Sequence, residues 1–164
     1  MNPAHLHLWL NHLSIIGFVF GLILLAGGYV IKQQAVRRVA LGVFVLSAVF
    51  AVPTFLTGEG AEEAVEGLAG IQDSFIETHE DWGSVYIWLA GGLGILSAVT
   101  LLFDFRKWPS TPYLYVVVLL LSLVTLGFGA KVGTTGGEIR HTEIRKGALA
   151  NSPTQSGEDR EEHD

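Results

Sequence analysis

Four long apolar stretches, separated by polar connections, dominate the chain. None of them contains Asp, Glu, Lys, Arg or His, and they cover roughly residues 13–31, 39–57, 85–103 and 113–130. Each is close to the ~20 residues that an α-helix needs to cross the hydrocarbon of a bilayer. The pattern predicts an all-α membrane protein, a four-transmembrane-helix up-and-down bundle that occupies residues 1–150. The polar residues 151–164 are then predicted to form a disordered tail.

Polar residues ahead of two of these stretches predict where the helices begin. Asn2 is a good N-cap and Pro3 a good first helical residue, so the first helix is expected to start well before the bilayer. Ser74–Glu77 has the spacing of a capping box, which places the start of the third long helix near Phe75. Both helices therefore extend beyond the membrane on the same side.

The connection between the second and third stretches reads GEGAEEAVEGLAGIQDSFIETHEDWGS and contains eight carboxylates but no Lys or Arg. Its apolar residues recur every three or four positions, at Ala61, Val65, Leu68 and Ile71. This spacing predicts a short outer amphipathic helix, lying on the mouth of the bundle and ending at Gly67 or Gly70.

The distribution of basic residues predicts the orientation. Residues 32–38 and 104–112 form the two short connections and carry five Lys or Arg side chains. By the positive-inside rule, these connections are cytoplasmic, and both termini lie outside a bacterial inner membrane. Four basic residues after the last stretch oppose this assignment: Lys131, Arg140, Arg145 and Lys146. Because no Lys or Arg precedes the first stretch, it is expected to remain as a span rather than be cleaved.

Several classes of function lack the residues that they need. The chain has no cysteine, which excludes disulfides, cysteine-held iron–sulfur clusters and thiolate catalysis. No ionisable side chain lies within the apolar stretches, so a proton relay at mid-membrane is disfavoured. P-loop, G-x-S-x-G and H-E-x-x-H motifs are absent. We therefore predict no catalytic residues and no nucleic-acid partner, and leave open whether the protein is an enzyme.

All six histidines fall on the predicted outer side of the membrane: His5, His7, His12, His79, His141 and His163. Counting back from the cytoplasmic ends at ~1.5 Å per residue places His7 and His79 at one level, with His12 roughly 7 Å deeper. The helices that carry His7 and His79 run in the same direction and are expected to be diagonal. A ligand between helices is therefore geometrically reasonable.

Three interpretations of these histidines remain open. In the first, haem b is held between helices with His12 and His79 as the preferred axial pair and His7 or His141 as alternates. In the second, imidazole and carboxylate groups hold a copper, iron or zinc ion, with candidates His79, Glu59, Glu62, Glu63 and Glu80. In the third, the histidines bind water and headgroups, and the protein is a cofactor-free structural or assembly subunit of a membrane complex.

The segment after the fourth stretch contains the glycine pair Gly136-Gly137 and then alternating residues over 138–144. The alternation predicts an ordered lid that folds back over the bundle mouth. His141 would then point either inward or to water, and the sequence leaves these two outcomes equal.

Four short motifs together resemble a known family. They are His7-x4-His12, Thr57-Gly58-Glu59, His79-Glu80, and Gly136-Gly137 with His141. Their order is similar to that of a family of four-span bacterial predicted membrane proteins of the DUF type. That family resembles small b-type cytochromes in its histidine placement. The resemblance implies haem binding, electron transport and association with other respiratory or redox membrane subunits.

Overall fold

The computed structural model of the protein describes residues 2–145, and the predicted tail at 151–164 and His163 lie outside them. The elements in chain order are α1 (Pro3–Val30), α2 (Gln34–Leu56), α3 (Gly58–Glu63), α4 (Asp73–Phe105), α5 (Thr111–Arg140) and a 3-10 turn (Thr142–Ile144). Helices α1, α2, α4 and α5 are long and apolar enough to cross a membrane. The predicted four-helix fold is confirmed, and the chain is a multi-pass membrane protein.

The four long helices form a closed ring. Helix α1 packs on α2, α2 on α4, α4 on α5, and α5 returns to α1, so that α1 and α4 occupy one diagonal. We call one end the histidine mouth: it comprises the start of α1, α3, the start of α4 and the end of α5. We call the other the arginine end: it comprises the connections at residues 31–38 and 104–112.

The apolar surface of the bundle faces outward. The exposed fractions of Trp88 and Val30 are 82% and 81%, whereas Phe18 and Phe44 are fully buried between helices. Small hydroxyl side chains share the interior, and most of them donate to a carbonyl one turn earlier in their own helix, as Thr100 donates to Leu96. This arrangement suits a lipid environment, where polar groups have no water to bind and need hydrogen-bond partners within the protein.

Glycines set the distances between the helices. A Cβ added to Gly17 or Gly21 would lie 2.2 Å from Ser47 Oγ or 2.5 Å from the Phe44 ring, and one added to Gly94 would lie 2.4 Å from the Ala48 Cβ. The missing side chains of these glycines therefore let α1 and α4 pack closely against α2.

The predicted start of α1 is confirmed, whereas the predicted cap of α4 is wrong. The Asn2 side chain accepts a hydrogen bond from the Ala4 N–H at 3.0 Å. Helix α4 begins at Asp73 after Gln72, and Ser74 makes no capping bond because it already lies in the first turn. Its carbonyl instead accepts the Thr78 hydroxyl at 2.7 Å.

Two connecting segments differ from their predicted form. The short helix α3 ends at Glu63, and turns occupy most of residues 64–72, with Gly67 and Gly70 at φ of 74° and 85°. The predicted short outer helix is therefore present, but it ends four residues before Gly67, the earlier of its two predicted ends. The predicted lid is also wrong in form, because α5 continues as one helix to Arg140.

The glycine contacts give a test of the packing. We expect Gly94→Ala to lower the free energy of unfolding by about 1–3 kcal/mol, because the new methyl group overlaps Ala48. Gly92→Ala is the matched control on the same helix, since a Cβ there meets nothing within 4 Å. Unfolding midpoints in detergent measure both. Equal midpoints for the two variants would contradict the α2–α4 contact.

Candidate functional site

Two histidines face each other across the histidine mouth. His7 lies about one turn into α1 and His79 nearly two turns into α4. Their ring centroids are 6.5 Å apart, with an angle of 77° between the ring planes. Because α1 and α4 are diagonal, the two imidazoles approach each other over the axis of the bundle. The prediction that His7 and His79 lie at one level is thereby confirmed.

The His79 ring is oriented by helix α5. Its Nδ1 lies 3.1 Å from the Val132 carbonyl oxygen and 3.2 Å from Thr135 Oγ1. A carbonyl oxygen only accepts, so the neutral ring carries its proton on Nδ1 and keeps the lone pair on Nε2. Gly136 permits this approach, because a Cβ there would lie 2.9 Å from His79 Cε1.

The His7 ring is oriented by the end of α2. The Thr57 hydroxyl donates to the Pro53 or Thr54 carbonyl, each at 2.9 Å. The Thr57 oxygen therefore accepts a hydrogen bond from the His7 Nδ1–H, with 3.4 Å between Oγ1 and Nδ1. His7 Nε2 keeps its lone pair as well. Fixing one ring nitrogen on an oxygen and leaving the other free is the usual arrangement of histidines that ligate metals.

A cavity of about 530 Å³ adjoins both rings. This volume lies within the range of about 300–1,000 Å³ that is usual for small-molecule sites. Apolar side chains form part of its wall: Ala51, Phe55, Leu56, Ile87 and Val132. The Tyr86 side chain also lines the cavity, and its buried hydroxyl has no hydrogen-bond partner among residues 2–145. The cavity thus adjoins two imidazoles that each have a free ring nitrogen.

Carboxylates form the rim of this cavity. Glu59 and Glu62 come from α3, and Glu80 follows His79 on α4. The neighbouring Glu80 carboxyl raises the pKa of Glu62, first as a hydrogen-bond partner of the protonated form and then, with Glu59 and Asp73, as a negative charge. The rim therefore favours a proton or another cation.

Arg145 connects two segments at the histidine mouth through hydrogen bonds. Its guanidinium donates to the Glu138 and Ile139 carbonyls at 2.7 and 2.9 Å and to the Gly70 carbonyl at 3.0 Å. It also lies over the Phe75 ring, 4.3 Å from the centroid. One side chain thus joins the end of α5 to the connection that precedes α4.

The structure separates His12 from His79. His12 is exposed, its Nδ1 donates to the Leu8 carbonyl at 2.6 Å, and together with His5 it lines an apolar groove of about 640 Å³ on the outer surface of α1. At about 100° per residue, His12 lies roughly 140° round the helix from His7, whereas His5 shares its face. The sequence-based choice of His12 rested on depth alone and neglected this rotation.

The other predicted ligands lie apart from the cavity. His141 is exposed and its Nδ1 lies 2.8 Å from Glu143 Oε1, so of the two open outcomes it points to water. Glu63 is exposed and is not part of the cavity wall. Within residues 2–145, no three His, Asp or Glu side chains come close enough to hold a metal ion by themselves.

Sequence reasoning missed the groups that orient the two imidazoles. Neither the Val132 carbonyl nor Thr135 carries a signal in the sequence, because each acts through a contact between helices. Tyr86, which lines the cavity, was also missed, although the sequence indicates its position: it follows His79 by seven residues and so lies on the same helix face.

Comparison of the chain with family models, curated proteins and solved structures found no match. The resemblance to DUF-type membrane proteins therefore stays a prediction. What the site does has to be argued from its own side chains.

The carboxylate rim predicts a dependence of stability on pH. A raised pKa means that Glu62 contributes most to stability below its ordinary value of 4.5 and loses that contribution as the pH rises through the folded-state pKa. We expect Glu62→Gln to raise the unfolding midpoint at pH 7, because it removes the repulsion from the Glu80 carboxylate. The gain should be only about 1–2 °C, since solvent largely screens this group, and it should disappear near pH 4.

Glu63→Gln is the control, since it removes the same charge one residue away and leaves the Glu62–Glu80 pair intact. Midpoints measured between pH 4 and 8 distinguish the two. A pH profile for Glu62→Gln identical to that of the parent protein would contradict the raised pKa of Glu62.

Proposed function

We propose that the protein is an integral membrane electron-transfer subunit that binds haem b between His7 and His79. The observation that carries this proposal is the pair of opposed imidazoles, each with Nδ1 held by an oxygen. An iron ligated at about 2 Å by both Nε2 atoms needs ring centroids about 6 Å apart when the three atoms are roughly in line. The separation in the protein is 6.5 Å.

The number of ligands favours haem over a bare ion. A protein site for zinc or a similar ion supplies at least three side-chain ligands, and the described residues bring no such group together. Haem iron takes four ligands from its porphyrin and needs only two from the protein. Two histidines therefore suffice for haem, whereas an ion would need at least one further ligand.

The surrounding residues have definite roles in this proposal. Thr57 and the Val132 carbonyl orient the imidazoles, and Gly136 makes room for the His79 ring. The apolar wall excludes water, which tunes the reduction potential. Bound haem would supply one-electron transfer.

The distribution of basic residues supports a location for this site. We place the protein in a bacterial inner membrane, with the arginine end cytoplasmic by the positive-inside rule and both termini on the other side. The site then lies near the non-cytoplasmic face. Electrons would be exchanged with other respiratory or redox membrane subunits.

The first test is an absorption spectrum. We expect protein purified from haem-replete cells to show a Soret band that shifts on reduction with dithionite. His7→Ala and His79→Ala are each expected to lower the haem content by about tenfold or more, because each removes an axial ligand. His12→Ala and His5→Ala are matched controls on the outer face of α1 and should keep the haem.

Two results would contradict the proposal. A colourless preparation from haem-replete cells would exclude haem, and a loss in His12→Ala equal to that in His79→Ala would place the ligands elsewhere. A colourless, metal-free protein that co-purifies with a stable partner would favour the third interpretation, a structural or assembly subunit.

A second candidate function is binding of a copper, iron or zinc ion at the same cavity. The carboxylate rim favours it, because Glu59, Glu62 and Glu80 attract a cation and repel the propionates of haem. Such an ion would take nitrogen from His7 and His79 and complete its shell with carboxylate or water. Elemental analysis with one metal per chain and no porphyrin would select this function, and Glu80→Gln should then lower metal content by about tenfold or more.

A further inference from the structure

The arginine end contains a second polar cluster, far from the histidine mouth. It forms where the ends of the four long helices meet. The cluster comprises Tyr29, Gln34, Arg37, Arg38, Asp104 and Tyr115. Since side chains from all four helices meet here, the cluster is a built feature of the fold.

Asp104 is fully engaged within this cluster. It is only 4% exposed, it forms an ion pair with Arg38, and it accepts a hydrogen bond from Gln34 Nε2 at 2.9 Å. The Arg38 guanidinium also lies over the Phe105 ring, 4.6 Å from its centroid. The one carboxylate at this end of the bundle is therefore already balanced by Arg38.

Arg37 has a different environment. Its guanidinium carbon lies 4.8 Å from the Tyr29 centroid and 5.5 Å from the Tyr115 centroid. Gly28 lets its stem pass, because a Cβ there would lie 2.7 Å from Arg37 Cγ. The aromatic rings hold the guanidinium but accept none of its in-plane hydrogen bonds.

Two buried polar atoms of the cluster lack partners. Arg37 Nε and the Tyr115 hydroxyl make no hydrogen bond to any residue that the structure describes, and Tyr115 is only 2% exposed. A buried cationic N–H without a partner costs free energy, whereas a guanidinium paired with phosphate forms strong charge-assisted bonds. The cluster thus contains an oriented cation without an anion.

The remaining charges increase this imbalance. Lys32, Arg106 and Lys107 lie exposed in the same two connections, so this end of the bundle carries five basic side chains and one carboxylate. Beside them, the apolar side chains of Val30 and Tyr113 are 81% and 75% exposed. An anion that fits here carries its charge at the level of the interface and has an apolar part that lies along the helices.

We propose that Arg37 is the centre of a binding site for the phosphate of an anionic phospholipid. The guanidinium, held by Tyr29 and Tyr115, reaches the phosphate through its terminal Nη–H groups, and the exposed lysines and Arg106 add long-range attraction. The acyl chains lie on the apolar exterior next to the cluster. This site is independent of any cofactor at the histidine mouth.

The experiment measures phospholipid retained by the intact protein after purification in mild detergent, by mass spectrometry. We expect the parent protein to retain anionic phospholipid. Arg37→Gln should reduce the amount retained by about fivefold or more. Lys107→Gln is the matched control, because it removes one exposed charge from the same end without touching the Tyr29–Tyr115 pair, and it should change retention by less than about twofold.

A titration of the unmodified protein provides a second measurement that does not depend on a variant folding. We expect phosphatidylglycerol to raise the unfolding midpoint and phosphatidylcholine to leave it unchanged. Equal stabilisation by inorganic phosphate would overturn a lipid as the source of the phosphate. Undiminished retention in Arg37→Gln, or an equal loss in Lys107→Gln, would overturn Arg37 as the centre of the site.

Discussion

The absence of water from the bilayer core is the constraint on which this structure depends. Every backbone N–H and C=O in that region must be paired within the protein, which makes each span a helix. Most of the small interior hydroxyl groups meet the same constraint by donating to carbonyls of their own helices, as Thr100 and Thr125 do. Apart from the buried Ser97 hydroxyl, which has no partner among the described residues, the polar side chains that are free to do chemistry lie towards the two ends of the bundle.

Close packing of the helices determines what those ends look like. Contacts at Gly17, Gly21 and Gly94 bring α1 and α4 onto either side of α2 at short distances. The ring of helices then places α1 and α4 on a diagonal, so that His7 and His79 meet over the axis. At the opposite end, the same packing buries Asp104 between Arg38 and Gln34 and leaves Arg37 beside two tyrosines. The two proposed sites are thus products of one arrangement.

The two ends differ in charge, and this difference determines which ligands they suit. The histidine mouth combines free imidazole nitrogens with carboxylates and favours a cationic or iron-containing group. The arginine end combines five basic side chains with one carboxylate and favours an anion. Both sites use side chains that are oriented by a second residue, Thr57 for His7 and Tyr29 for Arg37.

The four helices, the Asn2 cap and the common level of His7 and His79 could all be predicted from the sequence, because hydropathy, local capping and the rise per residue are properties of single helices. The sequence misplaced the cap of α4 and the extent of α3, where competing local signals are weak. That His7 rather than His12 faces His79 follows only from the packing of the helices. The rotation of a helix about its own axis is fixed by its contacts with neighbouring helices, and those contacts depend on which faces pack together.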